Sequence, residues 1–149
     1  MAEYPTRKSA QPADLPDAQG REFDWTSADF DRVQWRVWCS AASTGEEPYS
    51  IVMTAMEALG VNANFKLTAS DIDSKVLATA AKGVYRFENM KNVTEPQLQK
   101  FFLRGKGANS GMVRVKPELQ KFVEFIIVNL IRDDWPFREK FDVVFCRNV

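Results

Sequence analysis

Two stretches late in the chain, FVEFIIVN at 122–129 and FDVVFC at 141–146, are almost continuously apolar instead of alternating. Strands apolar on both faces need cover on both, the condition found in parallel sheets with layers on either side. Both runs fall well short of the roughly 18 apolar residues that a membrane-spanning helix needs. Upstream, the periodicity predicts a strand at 36–41 (RVWCSA) and a helix from Glu46 to Leu59. Pro48 falls in that helix's first turn, and Ile51, Val52, Ala55, Ala58 and Leu59 share one face. A second strand is expected at 65–70 (FKLTAS) and a helix within DIDSKVLATAAKG, ending near Gly83. Strand, helix, strand, helix and then two buried strands is an α/β doubly wound pattern.

The intervening stretch reads differently. Thr94 to Leu103 suggests a helix with Thr94 and Gln97 as a capping box and Gly105 beyond its end, and GMVRVK at 111–116 alternates like an exposed strand. Residues 1–22 carry three of the seven prolines and are expected to be disordered; 26–34 suggests a short helix capped by Thr26 or Ser27. With 149 residues there is room for one domain with a real core. Its 20 basic and 20 acidic residues cancel, which argues against a general nucleic-acid or membrane-surface role. Residues 82–121 nevertheless hold nine basic and three acidic side chains, either a surface for an acidic partner or an ordinary solvated face.

The chain contains no histidine, which removes histidine bases, Ser-His and Cys-His nucleophile pairs and most zinc sites. Cys39 and Cys146 both lie in apolar runs and read as buried thiols in a reducing compartment, with the cytoplasm as the default location. Four places remain for chemistry, all at the carboxyl ends of strands, where ligands bind such sheets. The turn SAASTGEEPYS (40–50) lets backbone approach a ligand and opens a helix, but it carries neither a G-x-G-x-x-G nor a Walker lysine. A nicotinamide- or nucleotide-binding domain is disfavoured for that reason. Asp71 closes strand two with a carboxylate able to accept ribose hydroxyls, while Asp73 reads better as a helix cap. Asn129 and Leu130 close strand three, where an amide can read an adenine edge, although an asparagine there is also a common turn former. Arg147 and Asn148 leave strand four at the same rim.

RVWCSAASTGEEPYS, ASDID, GVYR, FFLRGKGANSGMVRVKPEL, VNL and FDVVFCRNV together resemble successive motifs of the CheR family, the bacterial chemoreceptor glutamate methyltransferases. The resemblance runs from Trp35 to Val149, about three-quarters of the chain. It implies a class I methyltransferase fold, Rossmann-like, and methyl transfer from S-adenosylmethionine to receptor glutamates. It implies cofactor contacts from Ser40, Ala41, Ser43 and Glu46 at the methionine end, from Asp71 at the ribose, and from Asn129, Leu130, Arg147 and Asn148 around the adenine and methyl donor. It also implies an antiparallel subdomain at about 86–121, where Arg104, Gly105, Lys106, Gly107, Gly111 and Arg114, with Lys116 nearby, would hold a receptor's C-terminal tail as an added strand. No catalytic side chain and no metal ligand follows from it.

By the same resemblance, REFDWTSADFDRVQ is similar to the opening of an N-terminal helical domain whose remainder has no counterpart here, and the family continues beyond strand four. The expectation is therefore a residual arm over 1–34 and an incomplete cofactor domain over 35–149. Its sheet order would be 3-2-1-4, with a bare fourth strand prone to self-association, and its catalysis would be weak. The alternative is a non-catalytic module that binds a receptor tail or S-adenosylmethionine.

Overall fold

A computed structural model of the chain describes residues 34–60, 62–147 and 149. The arm and short helix expected ahead of Gln34, and Asn148, lie outside the described residues. Four strands form a parallel sheet: β1 (Trp35–Cys39), β2 (Phe65–Asp71), β6 (Val123–Ile127) and β7 (Val143–Phe145). Its order is β6-β2-β1-β7. These labels differ from the expected 3-2-1-4, which numbered the parallel strands alone, because three strands of a second sheet fall between β2 and β6 in the chain. Both sheets, mixed with helices, make this an α/β fold of Rossmann-like kind.

Alternation along β1 and β2 assigns the two faces. Val37, Cys39, Phe65 and Leu67 are buried together against α1 (Glu46–Leu59), whose Tyr49, Val52, Met53 and Met56 follow the i, i+3, i+4, i+7 rule. Leu77 of α2 (Ser74–Lys82) packs against Ala42 and Ala69 on the same side. Asp73 caps α2 by accepting the Lys75 N–H at 2.7 Å. On the opposite face Trp38 gathers Trp135, Phe137 and Phe141 from the segment after β6, with ring centroids 4.8–5.6 Å away. Its indole N–H donates to Ser70 Oγ at 2.9 Å and that of Trp135 to the Asn129 carbonyl at 3.1 Å, so both polar groups of this cluster are satisfied.

Between α2 and β6 the chain builds a three-stranded antiparallel sheet ordered β3-β5-β4, from β3 (Val84–Arg86), β4 (Phe102–Arg104) and β5 (Met112–Val115). Two short helices accompany it, α3 (Glu95–Phe101) and α4 (Pro117–Gln120). The capping box on α3 is present with both reciprocal bonds between Thr94 and Gln97.

Several expectations are corrected here. β1 is one to two residues earlier than 36–41, because Ser40 already turns toward the helix. The core face of α1 is not the expected one: of that set only Val52 is buried, and Leu59 is 56% exposed, since the small sheet draws the helix onto Tyr49, Met53 and Met56. The α3 helix stops at Phe101, and Phe102–Arg104 become β4 because β5 offers them a partner. GMVRVK is no exposed strand; Val113 and Val115 are 1% and 0% exposed at the centre of the small sheet. Cys146 is exposed where Cys39 is buried. The two apolar strands are the edges of the parallel sheet among the described residues, as the expected order implies.

Candidate functional site

The carboxyl ends of β1, β2 and β6 open onto one groove of about 290 Å3. Ser40, Ala41, Asp71, Asn129 and Leu130 line it together, so five of the sequence-predicted residues meet. Ile72, Val128, Ile131 and Val149 complete the lining. Ile72 and Ile131 escaped the sequence reading because each directly follows a residue already singled out, Asp71 and Leu130. Both are large apolar residues left 64% and 93% exposed at this groove, the signal by which they can be found.

Asp71 organises the rim. Its Oδ2 accepts the Ser43 N–H at 2.9 Å and its Oδ1 the Asp73 N–H at 3.1 Å. A carboxylate has about four acceptor positions, so two remain for the hydroxyls of a ribose. The bond to Ser43 also explains a backbone outlier: Ser43 is the one non-glycine with positive φ (48°) among the described residues. Such a conformation costs on the order of 1 kcal/mol and persists where neighbours impose it, here across the gap between β1 and β2. Ala42 N–H donates to Ser70 O at 2.8 Å, and Ser40 N–H to Phe145 O at 2.9 Å, which fixes the start of the turn. Gly45 then enters α1 with φ 97°, and a Cβ there would lie 2.8 Å from both the Ala80 Cβ and the Tyr85 hydroxyl. Only glycine fits both the angle and the space.

Asn129 combines both roles considered for it. Its Oδ1 accepts the Ile131 N–H at 3.0 Å, an Asx turn that shapes the rim, while its side-chain amino group stays available to an adenine acceptor. Ser43 is tied to the groove through Asp71. Glu46 and Arg147 instead line a second, apolar groove of about 760 Å3 between α1 and β7, with Ile51, Ala55, Leu59 and Phe145. Behind the turn, burial pushes the Cys39 thiol up to about 12, reinforced by its hydrogen bond to Glu47 at 3.4 Å. Burial likewise raises the Tyr49 phenol to about 12 and the Tyr85 phenol further. These three groups are neutral donors near pH 7.

The candidate tail-binding residues fall on the small sheet. A groove of about 480 Å3 is lined by residues of all three strands, including Arg104, Gly105, Lys106 and Arg114. Gly105 passes Asn109 so closely that a Cβ would lie 2.0 Å from its carbonyl oxygen. Gly107 and Gly111 flank the turn ahead of β5 and are not in the lining. Arg104 pairs with Glu95 at 3.2 Å and lies over the Phe87 ring at 4.7 Å. Lys116 points elsewhere, donating to the Gln99 and Lys100 carbonyls at 2.8 and 2.9 Å.

A parallel sheet with a groove at its carboxyl ends, an acidic residue closing β2 and no phosphate-loop motif fits the class of S-adenosylmethionine-binding methyltransferase domains. Residues 24–149 match the family model described as CheR methyltransferase, SAM binding domain. Over 117 residues the chain is 50% identical to the chemotaxis protein methyltransferase of Escherichia coli K12, covering 78% of this chain and 41% of that protein. It is 50% identical over 115 residues to chemotaxis protein methyltransferase 2 of Pseudomonas aeruginosa, and 38% over 120 residues to the chemotaxis protein methyltransferase of Borreliella burgdorferi. These alignments cover 76% of this chain and 41% and 40% of the respective relatives. The chain belongs to the CheR methyltransferase family. It spans about two fifths of the length of these curated relatives.

Proposed function

We propose that the chain binds S-adenosylmethionine across the carboxyl-end rim and serves methyl transfer to glutamate side chains of chemoreceptors. The carrying observation is Asp71, held at the rim by two backbone N–H groups with acceptor capacity to spare. In this reading Asp71 takes the ribose, and Asn129 and Leu130 take the adenine. Ser40, Ala41 and Ser43, in the turn that leads into α1, take the methionine end, where the positive end of the helix dipole favours a carboxylate. Glu46, Arg147 and Asn148 complete the set at the outer side of the turn and after β7.

The cofactor supplies an activated methyl group on a sulfonium. An acceptor glutamate has a reference pKa of about 4.3, so it is already a nucleophile at neutral pH and requires no general base. What this chain contributes is alignment and exclusion of water, which suits a rim without histidine. The groove on the small sheet, with Arg104, Lys106 and Arg114 in its lining, favours an acidic receptor tail as partner. The same observation supports the second reading, a binding module without catalysis of its own. The β7 edge suits association with a second copy. Two free cysteines fit a reducing cytoplasm, and among the described residues no helix is long and apolar enough to cross a membrane.

Calorimetric titration with S-adenosylhomocysteine, with NAD as comparison, tests the cofactor reading. Binding of the first alone is expected, and Asp71→Ala should weaken it by about 1–3 kcal/mol, the range for removing a hydrogen bond to a charged group. Undiminished affinity in that variant removes Asp71 from the site.

A further inference from the structure

The turn after β1 is held from two directions. From the parallel sheet come the bonds of Ser40 to Phe145, Ala42 to Ser70 and Ser43 to Asp71. From the small sheet comes a single side chain. Tyr85, the middle residue of β3, reaches across and donates its hydroxyl to the Thr44 carbonyl at 2.8 Å. That carbonyl lies between the strained Ser43 and the left-handed Gly45, at the point where the chain turns into α1.

The tyrosine is itself fixed. Its ring meets Tyr49 of α1 edge-on, at 6.4 Å between centroids and 79° between planes, and Tyr49 donates to the Ala80 carbonyl at 2.9 Å. On β3, Tyr85 stands opposite Val113, which is buried in the centre of the small sheet. The hydroxyl therefore has little freedom to follow the turn if the turn moves; it acts as a peg set in another element.

We infer that Tyr85 is a positioning residue for cofactor binding, pinning the Ser43–Gly45 turn from the small sheet so that the turn's backbone faces the methionine end of the ligand. This inference rests on the proposed cofactor reading and gives the small sheet a part in the cofactor site besides carrying a groove of its own. Tyr85 is not in the lining of the nucleoside groove, and among the described residues the hydrogen bonds of the Asp71 and Asn129 side chains do not involve it, Ser43 N–H to Asp71 being the one link between the turn and that side. Its loss should therefore divide the ligand into two halves.

The test is Tyr85→Phe, which keeps the ring and removes only the hydroxyl. Two ligands are titrated by calorimetry: S-adenosylhomocysteine, and 5′-methylthioadenosine, which lacks the amino-acid end. The variant should bind S-adenosylhomocysteine about tenfold more weakly, as expected for one lost hydrogen bond transmitted to the turn. Its affinity for methylthioadenosine should stay within about twofold of the unaltered chain, and that binding also shows the variant to be folded. A parallel loss for both ligands would reduce Tyr85 to a structural residue, and unchanged affinity for both would remove it altogether. If the unaltered chain binds neither ligand, the cofactor reading falls and this inference with it; the other two outcomes overturn this inference alone.

Discussion

The central strand of the small sheet and the last strand of the parallel sheet are both short and rich in valine, yet they end in opposite environments. Val113 and Val115 of β5 are 1% and 0% exposed, while Val143, Val144 and Phe145 of β7 are 42%, 51% and 39% exposed. β5 has β3 on one side and β4 on the other, and its inward valines join Met53, Met56 and Phe101 in the core. Among the described residues β7 pairs only with β1, three residues deep. The difference teaches that composition identifies a strand, whereas burial depends on how many neighbours the topology provides. An alternating strand can be central, and a wholly apolar one can be an edge.

The comparison is broken most directly by placing a charge in each strand. Val115→Asp puts a carboxylate where there is neither water nor a partner, and should lower the stability of the folded chain by more than about 3 kcal/mol. Urea unfolding followed by far-UV circular dichroism measures it. A midpoint close to that of the unaltered chain would mean that the small sheet is not part of the cooperative core.

Local rules made much of this fold legible. The bounds of α1, the Thr94–Gln97 capping box and the Asp73 cap all rest on interactions within four residues, which sequence spacing encodes. At the site the same holds for Asp71 and Asn129, because strand ends and turn formers are local features. What stayed hidden depends on contacts distant in sequence. The rotated face of α1 follows from the small sheet against which it packs. The exposure of Cys146 follows from the lack of a second neighbour for β7 among the described residues. Tyr85 stood inside a quoted motif, but its role needs a partner 41 residues away.

A second test uses pH and sharpens the boundary between the buried and exposed regions. Cys39 is fully buried although it pairs directly with Phe145 of the exposed β7. Its thiol is raised from 9.0 to about 12, mainly by burial and then by Glu47. The folded state thus holds this proton more tightly than the unfolded chain, so its contribution is complete below pH 9 and is lost as pH rises toward 12. Tyr49, raised from 10.0 to about 12, adds to the loss in the upper part of that window. Stability should fall by about 1.4 kcal/mol per pH unit per group, and Cys39→Ala should make the first part of the fall shallower. An unchanged slope in that variant would show that β7 opens readily enough for water to reach β1.

The smallest effect on folding is expected at the edge itself, where Val144→Lys makes the counterpart of the charge at Val115. Val144 is about half exposed and lies opposite Trp38 in the β1–β7 register, so a lysine there can extend into water along its flexible stem. The stability of the isolated chain should change by less than about 0.5 kcal/mol. Association is another matter. An apolar edge whose backbone groups have no second strand among the described residues invites another edge, and two β7 strands meeting about a twofold axis would bring their Val144 residues near each other. Lysines there would face each other as like charges, one of the devices by which edge strands are kept apart. Sedimentation equilibrium should therefore show self-association of the unaltered chain, weakened at least about tenfold in Val144→Lys, on the scale set by like charges in contact. A monomer in both cases would refute association through β7 while leaving the contrast in burial intact. A lysine as costly to folding as the aspartate at Val115 would refute the contrast, because it would require β7 to be as enclosed in solution as β5.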